Sequence, residues 1–212
     1  MLLGAVMLLM ALALLLYNQR EADEADQAAQ AALQQVFAAI DERTAAPQTQ
    51  QTQSSPAETT SETEEAESAG TVSETDEDPN AMTVVERDGV SYVGYLTIPD
   101  LGLQLPVLAE LEEANLQIGP CRYAGSTKSN DLVIGAHNYV QHFARIWRLK
   151  PGAQITFTDM DGGTLLYEVD VVETLSPTAV EEMTAGEYPL TLFTCTYTGN
   201  QRTAVRCVIV EN

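Results

Sequence analysis

Apolar and polar positions divide the chain into unlike stretches. Met1 to Tyr17 is apolar throughout and carries no charged side chain. As a helix, a run of that length rises about 25 Å. This is at the short end for a bilayer core of about 30 Å. A cleaved signal peptide would carry a basic lead and a small-x-small site close behind the run. No Lys or Arg precedes it, and the nearest such site, Ala29-x-Ala31, lies far downstream, so an uncleaved transmembrane anchor over residues 1–17 is the favoured reading.

The next stretch, residues 18–43, predicts a helical stalk. Gln19 to Arg43 is rich in Ala, Gln, Glu and Leu and holds no Gly or Pro. Leu33, Val36, Phe37 and Ile40 fall on one helical face. One such stripe is too short for a coiled coil, so it is expected to rest on the folded domain or on a second copy. Residues 44–81 are low in complexity, dominated by Gln, Thr, Ser, Glu, Pro and Ala, with no aromatic at all. Such a segment buries too little apolar area to offset its ordering entropy. It predicts a disordered acidic linker that spaces the domain from the membrane.

Residues 82–212 change character. Short apolar or alternating runs are broken by turn residues, and they predict strands over Val90–Ile98, Leu103–Val107, Asp131–Ala136, Gln154–Thr158, Thr164–Leu175, Pro189–Thr194 and Thr203–Val210. Asp161-Gly162-Gly163 marks a hairpin turn. Phe143–Leu149 predicts one short helix, stopped by Lys150-Pro151-Gly152. The fold class is mainly β, a closed barrel or a sandwich.

Composition sharpens this partition. The chain has 212 residues, with 31 acidic and 10 basic side chains and a net charge of -21. That balance excludes a nucleic-acid binder, which needs a basic face. It also removes attraction to anionic lipid as a means of membrane attachment. Of the 13 glycines and 13 aromatics, 11 of each lie beyond residue 88, where turns and a packed core are needed.

Few residues carry chemistry. The two histidines, His137 and His142, are spaced wrongly for one helix or strand face, and no third ligand is near, so no metal or other cofactor is expected. The acidic runs Glu110–Glu113 and Asp159–Asp161 read as solvated charge rather than a calcium site. His137 closes the apolar run LVIGA, at a strand end where a site can form. Of three cysteines, Cys207 sits inside a strand and reads as a small buried hydrophobe. Cys121 lies in the loop-like IGPCRY, either free or paired with Cys207. Cys195 ends PLTLFT and enters a glycine-containing turn, with Arg202 seven residues on. A nearby cation favours the thiolate nucleophile. Arg206 lies on the same strand face as Arg202.

These residues carry a resemblance. TLFTC at Thr191–Cys195 resembles the TLxTC motif of sortases, the membrane-anchored cysteine transpeptidases of bacterial surfaces. LVIGAHN at Leu132–Asn138 resembles the strand that delivers the family's histidine, although many relatives read AGH where this chain reads GAH. QRTAVRC resembles the strand bearing its arginine, and YLTIPDLGLQLPVL at Tyr95–Leu108 resembles its early I-P-x-L stretch. The resemblance implies a sortase-like closed β-barrel over 82–212. It implies Cys195 as nucleophile, His137 as general acid/base and Arg202 as oxyanion-stabilising cation, with Arg206 the runner-up. Thr194 is expected to line the substrate groove. The connection from Cys195 to Arg202 is short for the family.

The implied partners are a sorting-signal peptide of LPxTG type, an amine acceptor of cell wall or pilin, and the membrane through the amino-terminal helix. The implied location is the cell membrane, single-pass, with the catalytic domain outside. Two rivals remain: a hydrolytic cysteine peptidase with the same three residues, and a non-catalytic membrane-tethered binding domain.

Overall fold

The computed structural model describes residues 2–45 and 79–210. The predicted linker falls largely outside the described residues. Nine strands form one sheet: β1 (Val85–Arg87), β2 (Val90–Ile98), β3 (Leu103–Leu108), β4 (Cys121–Ala124), β5 (Leu132–Ala136), β6 (Gln154–Asp159), β7 (Thr164–Leu175), β8 (Leu190–Cys195) and β9 (Arg202–Ile209). Their order is β1-β2-β3-β4-β5-β8-β9-β7-β6, and β2 also pairs with β6. That extra pairing closes strands β2 to β9 into an eight-stranded barrel, leaving β1 as a flange. The interior is filled by Val93, Ile98, Val107, Ile134, Ile155, Tyr167, Leu192 and Val205, among others.

All seven predicted strands form, two of them with the expected limits. The turn at Asp161-Gly162-Gly163 joins β6 to β7, with the Asp159 carboxylate accepting from the Asp161 and Gly163 amides. Two strands, β1 and β4, were not legible. The short helix expected at Phe143–Leu149 is a correction: only Ile146–Arg148 is helical, as a 3-10 turn. The reason is in the spacing. Phe143, Ile146 and Leu149 are all buried, and a repeat of three suits three residues per turn rather than 3.6.

The amino-terminal helix α1 runs unbroken from Leu2 to Ala45. Its second half lies directly on the barrel. Ala32, Val36 and Ala39 are buried against Tyr92, Leu108, Cys121 and Met160, and Phe37 meets Tyr95 edge-on at 5.0 Å. Polar clamps flank this seam: Arg43 to Asp161 at 2.6 Å, Arg87 to Glu42 at 2.5 Å and Gln35 to Asp88 at 2.7 Å. The expected stripe thus rests on the domain, and the helix sets the distance between the first half of α1 and the barrel. Gly162, with φ of +82°, sits beneath Thr44, whose Cγ2 would lie 3.0 Å from any added Cβ.

In the first half, Met7, Leu8, Leu9, Leu14 and Tyr17 are exposed. Among the described residues, no helix is long and apolar enough to cross a membrane.

Candidate active site

The site follows from one parallel pairing. Most neighbours in the barrel are antiparallel, but β5 and β8 run the same way, with Ala136 opposite Thr194. Parallel neighbours end at the same edge. His137 follows Ala136, and Cys195 follows Thr194, so the two residues stand side by side at the carboxyl ends of adjacent strands. Strand alternation gives both the same face.

That face is the outer one. Leu132, Ile134, Ala136, Leu190, Leu192, Val205 and Cys207 belong to the barrel interior. Val133 and Ala204, with Phe193 against them, belong to a separate outer cluster with Leu175, Ala179 and Met183. His137 and Cys195 continue the outer series. On this face Gly135 has no room for a side chain: an added Cβ would lie 2.6 Å from the Phe193 ring and 2.8 Å from Leu111 Cδ1. Glycine two residues before His137 therefore lets the ring of Phe193 close over β5.

The hairpin after Cys195 supplies the cation. Cys195 and Arg202 are direct partners across the antiparallel pair of β8 and β9, so their side chains share a face. The short turn holds this register: the Thr196 amide donates to Gln201 O at 3.0 Å and the Gly199 amide to Thr196 O at 2.8 Å. The Arg202 guanidinium rests on carbonyls of its own turn, those of Gly199 at 3.5 Å and Gln201 at 3.3 Å. Two long contacts leave it donors to spare.

Arg206 is different. It is buried and donates to Glu173 Oε1 at 2.7 Å, Thr191 Oγ1 at 3.1 Å, Glu182 O at 2.9 Å and Met183 O at 3.4 Å. The last two carbonyls belong to α3 (Val180–Thr184). Arg206 therefore pins the segment between β7 and β8 onto the barrel, with four of its five N–H donors engaged away from Cys195.

Thr194 requires a correction. It is buried, on the inward side of β8, and its hydroxyl donates to Ala136 O at 2.8 Å. Alternation directs it away from the groove face. It ties the ends of β5 and β8 together instead of touching anything outside.

The other two thiols are sealed. All three cysteines are free. Burial pushes the Cys121 and Cys207 thiols up to about 12, which keeps both protonated at neutral pH. Cys195, half-buried, is the cysteine accessible from outside.

Sequence reasoning missed the surroundings of His137. The short helix α2 (Glu113–Ile118) brings Glu113 Oε1 to 3.3 Å and Gln117 Nε2 to 3.5 Å from His137 Nε2. Tyr139 stacks at a tilt against the imidazole, with centroids 4.9 Å apart, and its hydroxyl donates to Gln117 Oε1 at 3.3 Å. The legible signal was Glu113 and Gln117 four apart in a helix-forming run stopped by Gly119-Pro120. Beyond Tyr139 lies His142, fully buried, with both ring nitrogens unpartnered. Burial first, then repulsion from His137, lowers it to about 4, against a raising pull from Asp26 of α1. No group of metal-ligating side chains occurs among the described residues.

Chemically, a thiol, an imidazole and a guanidinium on one face supply a nucleophile, a proton carrier and a fixed positive charge. Comparison with known proteins identifies the family of the domain. The profile of the sortase domain matches residues 96–210. Among solved structures, sortase A from Corynebacterium diphtheriae is similar at 25% identity and a TM-score of 0.52, covering 57% of this chain. The chain spans 61% of that protein's length. The lid mutant of the same enzyme is similar at 24% identity and a TM-score of 0.53, covering 59% of this chain and 74% of the other. Sortase C of Streptococcus pneumoniae is similar at 24% and 0.51, covering 57% and 70%. A search of curated protein sequences found no match.

Proposed function

The chain belongs to the sortase family, and we propose on that footing that it is a cysteine transpeptidase that cleaves an LPxTG-like sorting signal of secreted proteins. The observation that carries the reading is the register at the barrel edge: Ala136 against Thr194, and Cys195 against Arg202. The Cys195 thiolate attacks the scissile carbonyl carbon and forms a tetrahedral oxyanion beside the Arg202 guanidinium. That group swings from its turn carbonyls to meet the charge. The C–N bond then breaks, His137 gives its proton to the departing amine, and the acyl group stays on sulfur as a thioester. An amine of cell wall or pilin attacks the thioester, His137 takes the proton back, and the thiolate returns.

The apolar run at residues 1–17 is proposed to hold the protein at the cell membrane, with the barrel on the outer side. Its lack of charge and the exposure of its described side chains support the membrane contact, and the outer placement of the barrel follows from the family alone.

The test is product analysis with full-length protein in detergent and a peptide carrying an LPxTG-like signal, with and without a diaminopimelate- or glycine-type amine. The expected product in the presence of amine is the amine-joined acyl peptide. Free acid alone, at every amine concentration, would make the protein a hydrolytic peptidase. Biological activity that survives Cys195→Ala would make it a binding domain.

A further inference from the structure

We propose that Glu113 and Gln117 of α2 are positioning residues that hold the Nε2 edge of His137 and thereby commit its Nδ1 to the sulfur of Cys195. The inference rests on the catalytic reading above and adds to it which nitrogen works and what aims it.

Two side chains of α2 reach one edge of the ring, with Gln117 Nε2 3.5 Å from His137 Nε2. Glu113 Oε1 lies 3.3 Å from His137 Nε2, and Gln117 Nε2 lies 3.3 Å from the same carboxylate oxygen. Gln117 Oε1 in turn accepts from the Tyr139 hydroxyl, and the Tyr139 ring packs against the imidazole. Glu113 and Gln117 are one helical turn apart, so both point the same way. The carboxylate is the nearer group at Nε2 and accepts the proton there, favouring the tautomer with Nε2–H, while the Gln117 amide, 3.5 Å from the same nitrogen, gives an N–H to Glu113 instead. Among the described residues Nδ1 makes no hydrogen bond, which leaves that nitrogen for the sulfur.

The helix is itself braced. Asn115 Nδ2 donates to Glu110 O at 3.0 Å, the Gly119 amide donates to Asn115 O at 3.0 Å, and Leu116 and Ile118 pack into the cluster shared by Val36 of α1 and Leu108 of β3. A stable platform is what a positioning pair requires. Glu113 is 77% exposed and the imidazole 25%, so solvent screens the pair and its effect is modest.

The test uses alkylation of Cys195 by iodoacetamide, which needs no knowledge of the substrate. Cys121 and Cys207 are fully buried and do not compete. Glu113→Gln keeps the side chain's size and removes its charge. The expected result is a fall of about fivefold in the alkylation rate, the scale of an exposed ion pair. The fall disappears in a His137→Ala background, because Glu113 acts only through that ring. It also disappears in 1 M salt, where the screening length is about 3 Å. With an active peptide, kcat falls by the same factor while KM holds.

An alkylation rate unchanged in Glu113→Gln overturns the proposal. So does an equal fall in the His137→Ala background, which would mean a merely structural effect. If the alkylation cycle behaves as expected but the wild-type protein cleaves no sorting peptide, the positioning role stands and the transpeptidase reading fails.

Discussion

Arg202 and Arg206 occupy the same face of the same strand, four residues apart, and have opposite fates. Arg206 has four of its five N–H donors engaged, by a carboxylate, a hydroxyl and two α3 carbonyls. Arg202 meets only two carbonyls of its own turn, at 3.3 and 3.5 Å. The two thiols on neighbouring strands divide likewise. Cys207 faces the barrel interior and is wholly buried, whereas Cys195, at a strand end on the outer face, is open. The contrast teaches that residue type and strand position do not assign a role. Unsatisfied bonding capacity at a strand terminus marks the reactive end, and saturation marks the structural one.

Substitutions that exchange these fates break or sharpen the comparison. The largest effect is expected from Cys195→Ala, which removes the proposed nucleophile and drops turnover to background while the melting temperature holds. Arg206→Ala leaves Glu173 and two carbonyls without their donor. It is expected to cost about 3 kcal/mol of stability, the low end for breaking a buried ion pair because Glu173 is partly exposed, read as a lowered denaturant midpoint. Arg202→Ala is expected to do the reverse: stability within about 0.5 kcal/mol of wild type, but about 3–4 kcal/mol less transition-state stabilisation, seen in kcat. If the losses trade places between the two arginines, the assignment of roles on β9 is wrong.

A smaller effect lies under the site. His142 is held neutral, lowered from 6.5 to about 4 by burial and by His137, against the pull of Asp26. The unfolded chain takes up a proton near pH 6.5, and the folded chain resists until near pH 4. Stability therefore falls as pH drops through that window, by roughly 3 kcal/mol for this group, and levels off below it. In His142→Leu that part of the slope is expected to vanish from chemical denaturation measured between pH 7 and 4. Cys207→Ala is expected to be the mildest, costing about 1–2 kcal/mol with turnover intact.

The barrel was legible because its strands announce themselves. VSYVGYLTI and TLLYEVDVVETL are long, β-branched and aromatic, and both have the limits read from sequence. β4 was hidden because four residues, Cys-Arg-Tyr-Ala, between Pro120 and Gly125 offer no period to count. The proposed set Cys195, His137 and Arg202 was legible as a motif set, but the register that brings their strand ends to one edge, a parallel pairing across 53 intervening residues (from Ala136 to Leu190), is a tertiary fact that local pattern does not carry. Thr194 was misjudged for the same reason. Its adjacency to Cys195 suggested the groove, but alternation turns it inward onto Ala136 O. Glu113 was read as part of the acidic surface run Glu110–Glu113, and Gln117 was passed over, because their spacing of four marks a helix face without showing that His137 lies against it.

The account's central claim is tested most directly by intact-mass measurement of the full-length protein mixed with a sorting-signal peptide. It predicts a mass gain equal to the acyl fragment, mapped by digestion to Cys195 and discharged when an amine is added. A mass gain on Cys121 or Cys207, or an acyl adduct that still forms in Cys195→Ala, would contradict it.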